Sequence, residues 1–166
     1  MYKRQAPSRP DILRADARRL PLADASADFV FIDPPYSTHV QYSDDPSCIG
    51  RLDAAGEDGG RAYFKAMEAV IGEIDRVLKD RRYMALYVSD SYRKKKGVKG
   101  GGVFTPIGFE LFAMLRARFK PVDIISVVRH NQKLDRGNWR RAAEEGNFFM
   151  RGFNYLFIMK KQAGAN

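Results

Sequence analysis

Four consecutive apolar residues, Phe29 to Ile32, follow Asp28 and run straight into Asp33-Pro34-Pro35. No other feature restricts the fold as much. An unbroken apolar run of this length suits a strand covered on both faces, as in a parallel sheet. Proline cannot donate to a ladder, so two of them in succession must end the strand. The chain is thus expected to leave the sheet at Asp33, at the carboxyl end of a buried strand.

The remaining pattern agrees with such a sheet. Phe64, Met67, Val70, Ile71, Ile74 and Leu78 recur every three or four positions, which predicts an amphipathic helix from Arg61 to Leu78. Tyr83 to Val88 predicts a second buried strand, and Val122 to Val128 a third, rich in β-branched residues. Pro106 opens a helix reaching about Phe119, because proline is favoured in a first helical turn. Phe153 to Met159 predicts the last strand, and Asp11 to Arg14 a short one. Ser37 to Gly60 and the basic, glycine-rich Ser91 to Gly102 are expected to be loops. Asn131 to Gly152 is expected to be irregular, with a short helix near Trp139 to Glu145. Strands alternating with helices give an α/β fold with a mainly parallel sheet.

The 166 residues suit one domain. No apolar run is long enough to span a bilayer, and Met1 to Pro10 lacks the apolar segment of a secretory signal. The single Cys48 cannot form an internal disulfide, which suits the cytoplasm. Two histidines and one cysteine offer no metal-ligand pattern, so no metal is expected. The net charge of +9 is unevenly placed. Residues 1–90 hold 13 Lys and Arg against 15 Asp and Glu, whereas residues 91–166 hold 16 against 5. A basic half suits a polyanionic partner such as nucleic acid, or merely a solvated surface.

Asp33-Pro34-Pro35-Tyr36 carries the chemistry. In open α/β sheets ligands bind beyond the carboxyl ends of the strands. The prolines stiffen the backbone and aim the carbonyl of Pro34. A carboxylate and a rigid carbonyl are two acceptors, which suits a group with two N–H donors. The exocyclic amine of a nucleobase is such a group, and its lone pair is delocalised into the ring. Accepting both hydrogens draws the nitrogen towards tetrahedral geometry and makes the lone pair available to attack a methyl sulfonium. Tyr36 offers a face for stacking, which contributes about 1–3 kcal/mol per base. A base within a duplex reaches such a pocket only when flipped out.

This tetrapeptide resembles the catalytic motif of the amino-group methyltransferases, which include the adenine-N6 and cytosine-N4 DNA methyltransferases of restriction-modification systems. The resemblance implies that Asp33 accepts from the target amine, that the Pro34 carbonyl takes its second hydrogen, that Pro35 holds the loop rigid and that Tyr36 stacks. It also implies S-adenosyl-L-methionine as cofactor and a partial Rossmann-like methyltransferase fold with an antiparallel last strand. Ile12 to Leu22 resembles the preceding family segment, which makes Asp16, with Ala17 beside it, the candidate partner of the cofactor adenine; Asp33 borders the cofactor as well. Arg76-Val77-Leu78, Tyr83 to Asp90, Phe109 to Arg129 and Asn154 to Lys161 resemble the later segments.

The family's glycine-rich cofactor loop is not found. A single catalytic domain over residues 1–166, lacking its N-terminal part, is therefore expected, with a missing segment or a partner chain completing the cofactor site. Such a chain should expose an apolar edge beside Phe29 to Ile32. Arg93, Lys94, Lys95, Lys96 and Lys99 are candidate phosphate contacts. Lys133, Arg136, Arg140 and Arg141, with Asn138 and Trp139 between them, form a second basic segment that either contacts nucleic acid or is an ordinary surface helix. His39 and His130 lie near the active edge, more simply as ordinary loop residues than as a base. Phe148 and Phe149 are expected in packing. The main expectation is methylation of an adenine or cytosine amine in DNA. An RNA base methyltransferase, a protein-glutamine methyltransferase and a non-catalytic nucleic-acid-binding relative are the alternatives.

Overall fold

The computed structural model describes residues 11–40, 42–94, 102–129, 141, 143–145 and 152–164. Among these residues the main sheet has four strands, β1 (Ala27–Ile32), β2 (Leu78–Val88), β5 (Phe119–Val128) and β6 (Phe153–Lys161), in the order β1-β2-β6-β5. β1 and β2 are parallel, with Phe29 opposite Tyr83 and Ile32 opposite Leu86. β6 runs antiparallel to both its neighbours, β2 and β5. Three strands therefore point one way and the last strand of the chain is inserted against them. A small hairpin, β3 (Ser91–Lys94) with β4 (Gly102–Thr105), follows β2.

Helix α1 (Arg61–Val77) links β1 to β2, and α2 (Ile107–Arg116) links the hairpin to β5. The predicted apolar stripe of α1 is buried, with Met67, Val70, Ile71 and Ile74 inside. These residues share one core with Leu111 and Leu115 of α2, Met84, Leu86 and Val88 of β2, and Phe157 and Met159 of β6. Both helices thus cover the same face of the sheet. Leu78 leaves α1 in an extended conformation and pairs at once with Ala27. The β1–α1–β2 unit therefore needs no loop at its closing corner.

Strand alternation sends Phe29 and Phe31 of β1 to the opposite face, with Tyr83, Ala85 and Tyr87 of β2 and Leu156 and Ile158 of β6 in register beside them. No described helix covers this face. Phe29 and Phe31 are 56% and 57% exposed, and β1 is an edge strand. The continuous apolar run therefore has one covered face and one open face among the described residues. Asp11 to Arg14, expected as a short strand, is irregular, with Ile12 90% exposed. A strand needs a ladder partner, and this segment pairs with none among the described residues.

Ser91 to Gly102 is not wholly a loop. Its ends are the hairpin strands β3 and β4, with Ser91 opposite Thr105 and Arg93 opposite Val103. The described residues of the expected loop Ser37 to Gly60 form no long element, only 3-10 turns at Ser37–His39 and Ile49–Arg51. Of the expected helix near Trp139 to Glu145, residues 141 and 143–145 are helical and the others lie outside the described residues. No described helix is long and apolar enough to cross a membrane.

Candidate active site

Asp33-Pro34-Pro35-Tyr36 leaves the sheet at the carboxyl end of β1, as the two prolines require. Asp33 is exposed, Pro34 is buried, and Pro35 and Tyr36 are partly buried. Tyr36 donates its phenolic hydrogen to Oδ1 of Asp33 at 2.5 Å. Burial, and then the adjacent Asp33 carboxylate, push the Tyr36 phenol well above the usual tyrosine range. It is therefore a neutral donor throughout ordinary pH.

The backbone of the motif is braced from below. Tyr63, fully buried on the first turn of α1, donates its hydroxyl to the carbonyl of Pro35 at 2.8 Å. Pro35 also lies against Gly50, where an added Cβ would approach Pro35 Cβ to 3.4 Å and the Tyr42 ring to 2.7 Å. A side chain at position 50 would clash with the Tyr42 ring that packs beside the motif. The long loop thus folds back as a platform.

Ser37 follows with φ +62°, a left-handed conformation that is unfavourable for a serine. Two hydrogen bonds hold it there. Its Oγ donates to Asp53 Oδ1 at 3.1 Å and accepts the amide of Ala54 at 2.9 Å. Asp53 also accepts the amide of Ala55 at 2.9 Å and forms an ion pair with Arg93 on β3. Burial pushes the Asp53 carboxyl up, but the Ala55 amide, Arg93 and Ser37 together outweigh it and hold the group below the usual carboxylate range. A second tie joins the same elements, His39 Nε2 to Ser91 Oγ at 2.6 Å.

Asp16 lies in an exposed turn well before β1, with Ala17 exposed beside it. The Arg18 guanidinium clasps its carboxylate at 2.8–3.1 Å and holds its pKa below the usual value. Arg18 also donates to the carbonyl of Ser47, which fixes the turn to the platform loop. Of the basic candidates, Arg93 and Lys94 are on β3, and Arg93 is committed to Asp53 and the carbonyl of Ala55. Arg141 is exposed and paired with Glu145 at 2.8 Å. Lys95, Lys96, Lys99, Lys133, Arg136, Arg140, His130, Asn138, Trp139, Phe148 and Phe149 lie outside the described residues. A groove of about 470 Å³ between α1 and α2, lined by Glu68, Glu110 and Arg118 among others, includes no motif residue.

Tyr63, Asp53 and Ser37 were not singled out from sequence. Tyr63 carried a signal, being a hydroxyl on an otherwise apolar helix face, where a buried Tyr needs a polar partner.

Three strands in one direction with an antiparallel strand inserted, and an acidic-Pro-Pro-aromatic corner at the carboxyl edge, define an α/β methyltransferase architecture. The chain belongs to the N6/N4 methyltransferase family of DNA methylases, whose model matches residues 27–164. No curated protein sequence matches it. Among solved structures it is similar to TTHA0409 of Thermus thermophilus, assigned as a DNA modification methylase, with 18% identity and a TM-score of 0.63 over 92% of this chain and 54% of that one. TTHA0409 complexed with S-adenosyl-L-methionine gives 16% identity and a TM-score of 0.61, covering 91% and 55%. The cytosine-N4-specific PvuII DNA methyltransferase gives 14% and 0.61, covering 89% and 48%. The chain thus spans about half the length of these proteins.

Proposed function

We propose that the protein methylates the exocyclic amino group of adenine (N6) or cytosine (N4) in DNA, using S-adenosyl-L-methionine. The observation that carries this reading is an exposed carboxylate beside an aromatic ring on a braced, proline-stiffened corner, in a chain of the DNA methylase family. The cofactor supplies the methyl group as a sulfonium. Every other task falls to the protein. Asp33 accepts one amine hydrogen and the Pro34 carbonyl accepts the other. The two acceptors localise the nitrogen lone pair and aim it away from the ring. Tyr36 stacks on the base, which enters the corner by flipping from the duplex. As the N–C bond formed and the sulfonium S–C bond broke, releasing a neutral thioether, the nitrogen would become positive, and Asp33 would stabilise that charge until the proton passed to solvent. Fixed acceptors already in place need no reorganisation at that moment.

The residues of this chain fit one wall of such a cofactor site. Asp33 is exposed at the end of an open edge strand, and the carboxylate of Asp16 faces solvent with Arg18 as its partner. A ribose or adenine group would take hydrogen bonds at Asp16 that Arg18 now supplies. None of the described elements provides a glycine-rich cofactor loop, so a further segment or a partner chain completes the site on this reading. The open apolar face around Phe29 and Phe31 is where such a piece has most to bury.

Transfer of a tritiated methyl group to duplex DNA, RNA and protein, assayed with the segment or partner chain that completes the cofactor site, tests the proposal. Labelled N6-methyladenine or N4-methylcytosine in DNA is expected, and Asp33→Ala should abolish it while nonspecific DNA binding persists. Label found only in RNA or protein, or undiminished in Asp33→Ala, would reject the assignment.

A further inference from the structure

We infer that Asp53 is a positioning residue for the amine-accepting corner, holding Ser37 in place and joining the corner to the β3–β4 hairpin. This rests on the amino-methyltransferase reading above. Ser37 directly follows Tyr36, so the dihedrals of Ser37 set how the chain leaves the corner. A serine at φ +62° is unfavourable unless its surroundings impose it. Here they do so through two hydrogen bonds at its hydroxyl, and Asp53 is the side chain that takes one of them. Asp53 Oδ1 takes both the Ser37 hydroxyl at 3.1 Å and the Ala55 amide at 2.9 Å, and Ser37 Oγ in turn accepts from Ala54 at 2.9 Å. Oδ2 is left for Arg93, whose second nitrogen reaches the carbonyl of Ala55 at 3.3 Å.

Asp53 is 16 residues from Ser37 and 40 from Arg93, so these bonds join three segments that the backbone does not hold together. The ion pair is half in solvent, with side-chain exposures of 51% for Arg93 and 25% for Asp53. Surface pairs of that kind contribute little to stability. What this one does is fix geometry: the hairpin strand that carries Arg93 and Lys94 is set against the corner that receives the base. A nucleic acid held by the hairpin would then be in register with Asp33. The second tie, His39 to Ser91 at 2.6 Å, runs between the same two elements and keeps the hairpin in place when the first is cut.

The test compares Asp53→Asn and Ser37→Gly with the unchanged protein, by hydrogen–deuterium exchange and, with the piece that completes the cofactor site present, by steady-state methylation of duplex DNA. Asp53→Asn keeps the shape but weakens both the hydroxyl and the guanidinium bonds. Ser37→Gly takes the left-handed conformation without strain and lacks the hydroxyl, so it tests the link even if Asp53→Asn folds poorly. In both variants, exchange at the amides of Ser37 to Val40, Ala54 and Ala55 is expected to rise about tenfold, while Met84 to Val88 keep their protection. A loosened corner should lower kcat about tenfold or more, with KM for DNA within about twofold. Unchanged exchange around Ser37 in both variants overturns the inference. So does an equal loss of protection across β2, which would make Asp53 a general stabiliser. Asp33→Ala separates the two readings. Methyl transfer that survives it rejects the amine-accepting corner, whereas the exchange result depends only on the hold of Asp53 on Ser37.

Discussion

The hydroxyl of Tyr36 and the carboxylate of Asp33 are 2.5 Å apart, so the two side chains expected to receive a base hold each other in the free chain. On the proposed reading, a target amine shares that carboxylate with the phenol or displaces it. Tyr36→Phe keeps the stacking face and frees the carboxylate. Its methyl transfer should stay within about threefold of the unchanged protein, whereas Tyr36→Ala should lose about 1–3 kcal/mol of base binding. Steady-state kinetics on duplex DNA distinguish the two. Loss of transfer in Tyr36→Phe as complete as in Asp33→Ala would mean that the phenol itself serves the reaction.

Tyr63→Phe removes one oxygen from beneath the motif. The Pro35 carbonyl loses its donor in a partly buried place, at a cost of about 1–3 kcal/mol. Thermal unfolding should show that loss. Burial pushes the Tyr63 phenol well above its ordinary pKa of 10.0, so folded protein should resist its ionisation. The sign follows from a raised pKa: the stabilisation is present below pH 10 and declines as pH rises beyond it. An alkaline absorbance titration in which every tyrosine ionises with an ordinary midpoint while the fold persists would contradict this.

Glu73 predicts the acid limb. Hydrogen bonds from Arg76, first, and from the Leu20 amide bring its carboxyl from 4.5 to about 2, against a smaller opposing effect of burial. A depressed carboxyl contributes stability above pH 4.5 that is lost as pH falls towards about 2. Arg76 also binds the carbonyls of Leu20 and Leu22, so this cluster pins residues 20–24 to the end of α1. Glu73→Gln should flatten stability against pH in that window and raise amide exchange at Leu20. An acid profile identical to that of the unchanged protein would argue against it.

Gly60 precedes α1 with φ +79°, and an added Cβ would lie 2.3 Å from the carbonyl oxygen of Ala54. Gly60→Ala therefore combines backbone strain with a clash against main chain, and should destabilise by about 1–3 kcal/mol or more. Gly59 also has positive φ, +71°, but has nothing within 4 Å. Gly59→Ala should cost about 1–2 kcal/mol from strain alone. Denaturant unfolding of the two variants checks the difference, and equal losses would remove the role of the Ala54 contact.

Leu86→Ala should cost about 2–5 kcal/mol, because Leu86 is fully buried between the helices and the sheet. Phe31→Ser, next to its register partner Ala85 on the other face of the sheet, should cost far less in this chain, since Phe31 is largely exposed. A similar loss in both would show that the face carrying Phe31 is covered.

How much of this was legible in the sequence differs from residue to residue. The strand Phe29 to Ile32, its stop at Asp33 and the stripe on α1 follow from local rules: a short unbroken apolar run, proline's missing donor and the helical repeat. Each is decided within a few residues, so the sequence alone determined them, together with the acceptor and aromatic types at the corner. The hairpin was not legible, because Ser91 and Thr105 pair across a glycine-rich basic segment without a strand-like pattern. Nor could the sequence reveal that β6 sits between β2 and β5. The braces came only from the tertiary structure: Tyr63 reaches Pro35 over 28 residues, and Arg93 reaches Asp53 over 40. Sequence periodicity carries no record of which distant hydroxyl or guanidinium closes on a loop, because that depends on packing between whole elements. The chain's local chemistry placed a carboxylate after an apolar strand, and only the packed elements around it made that carboxylate part of a rigid corner.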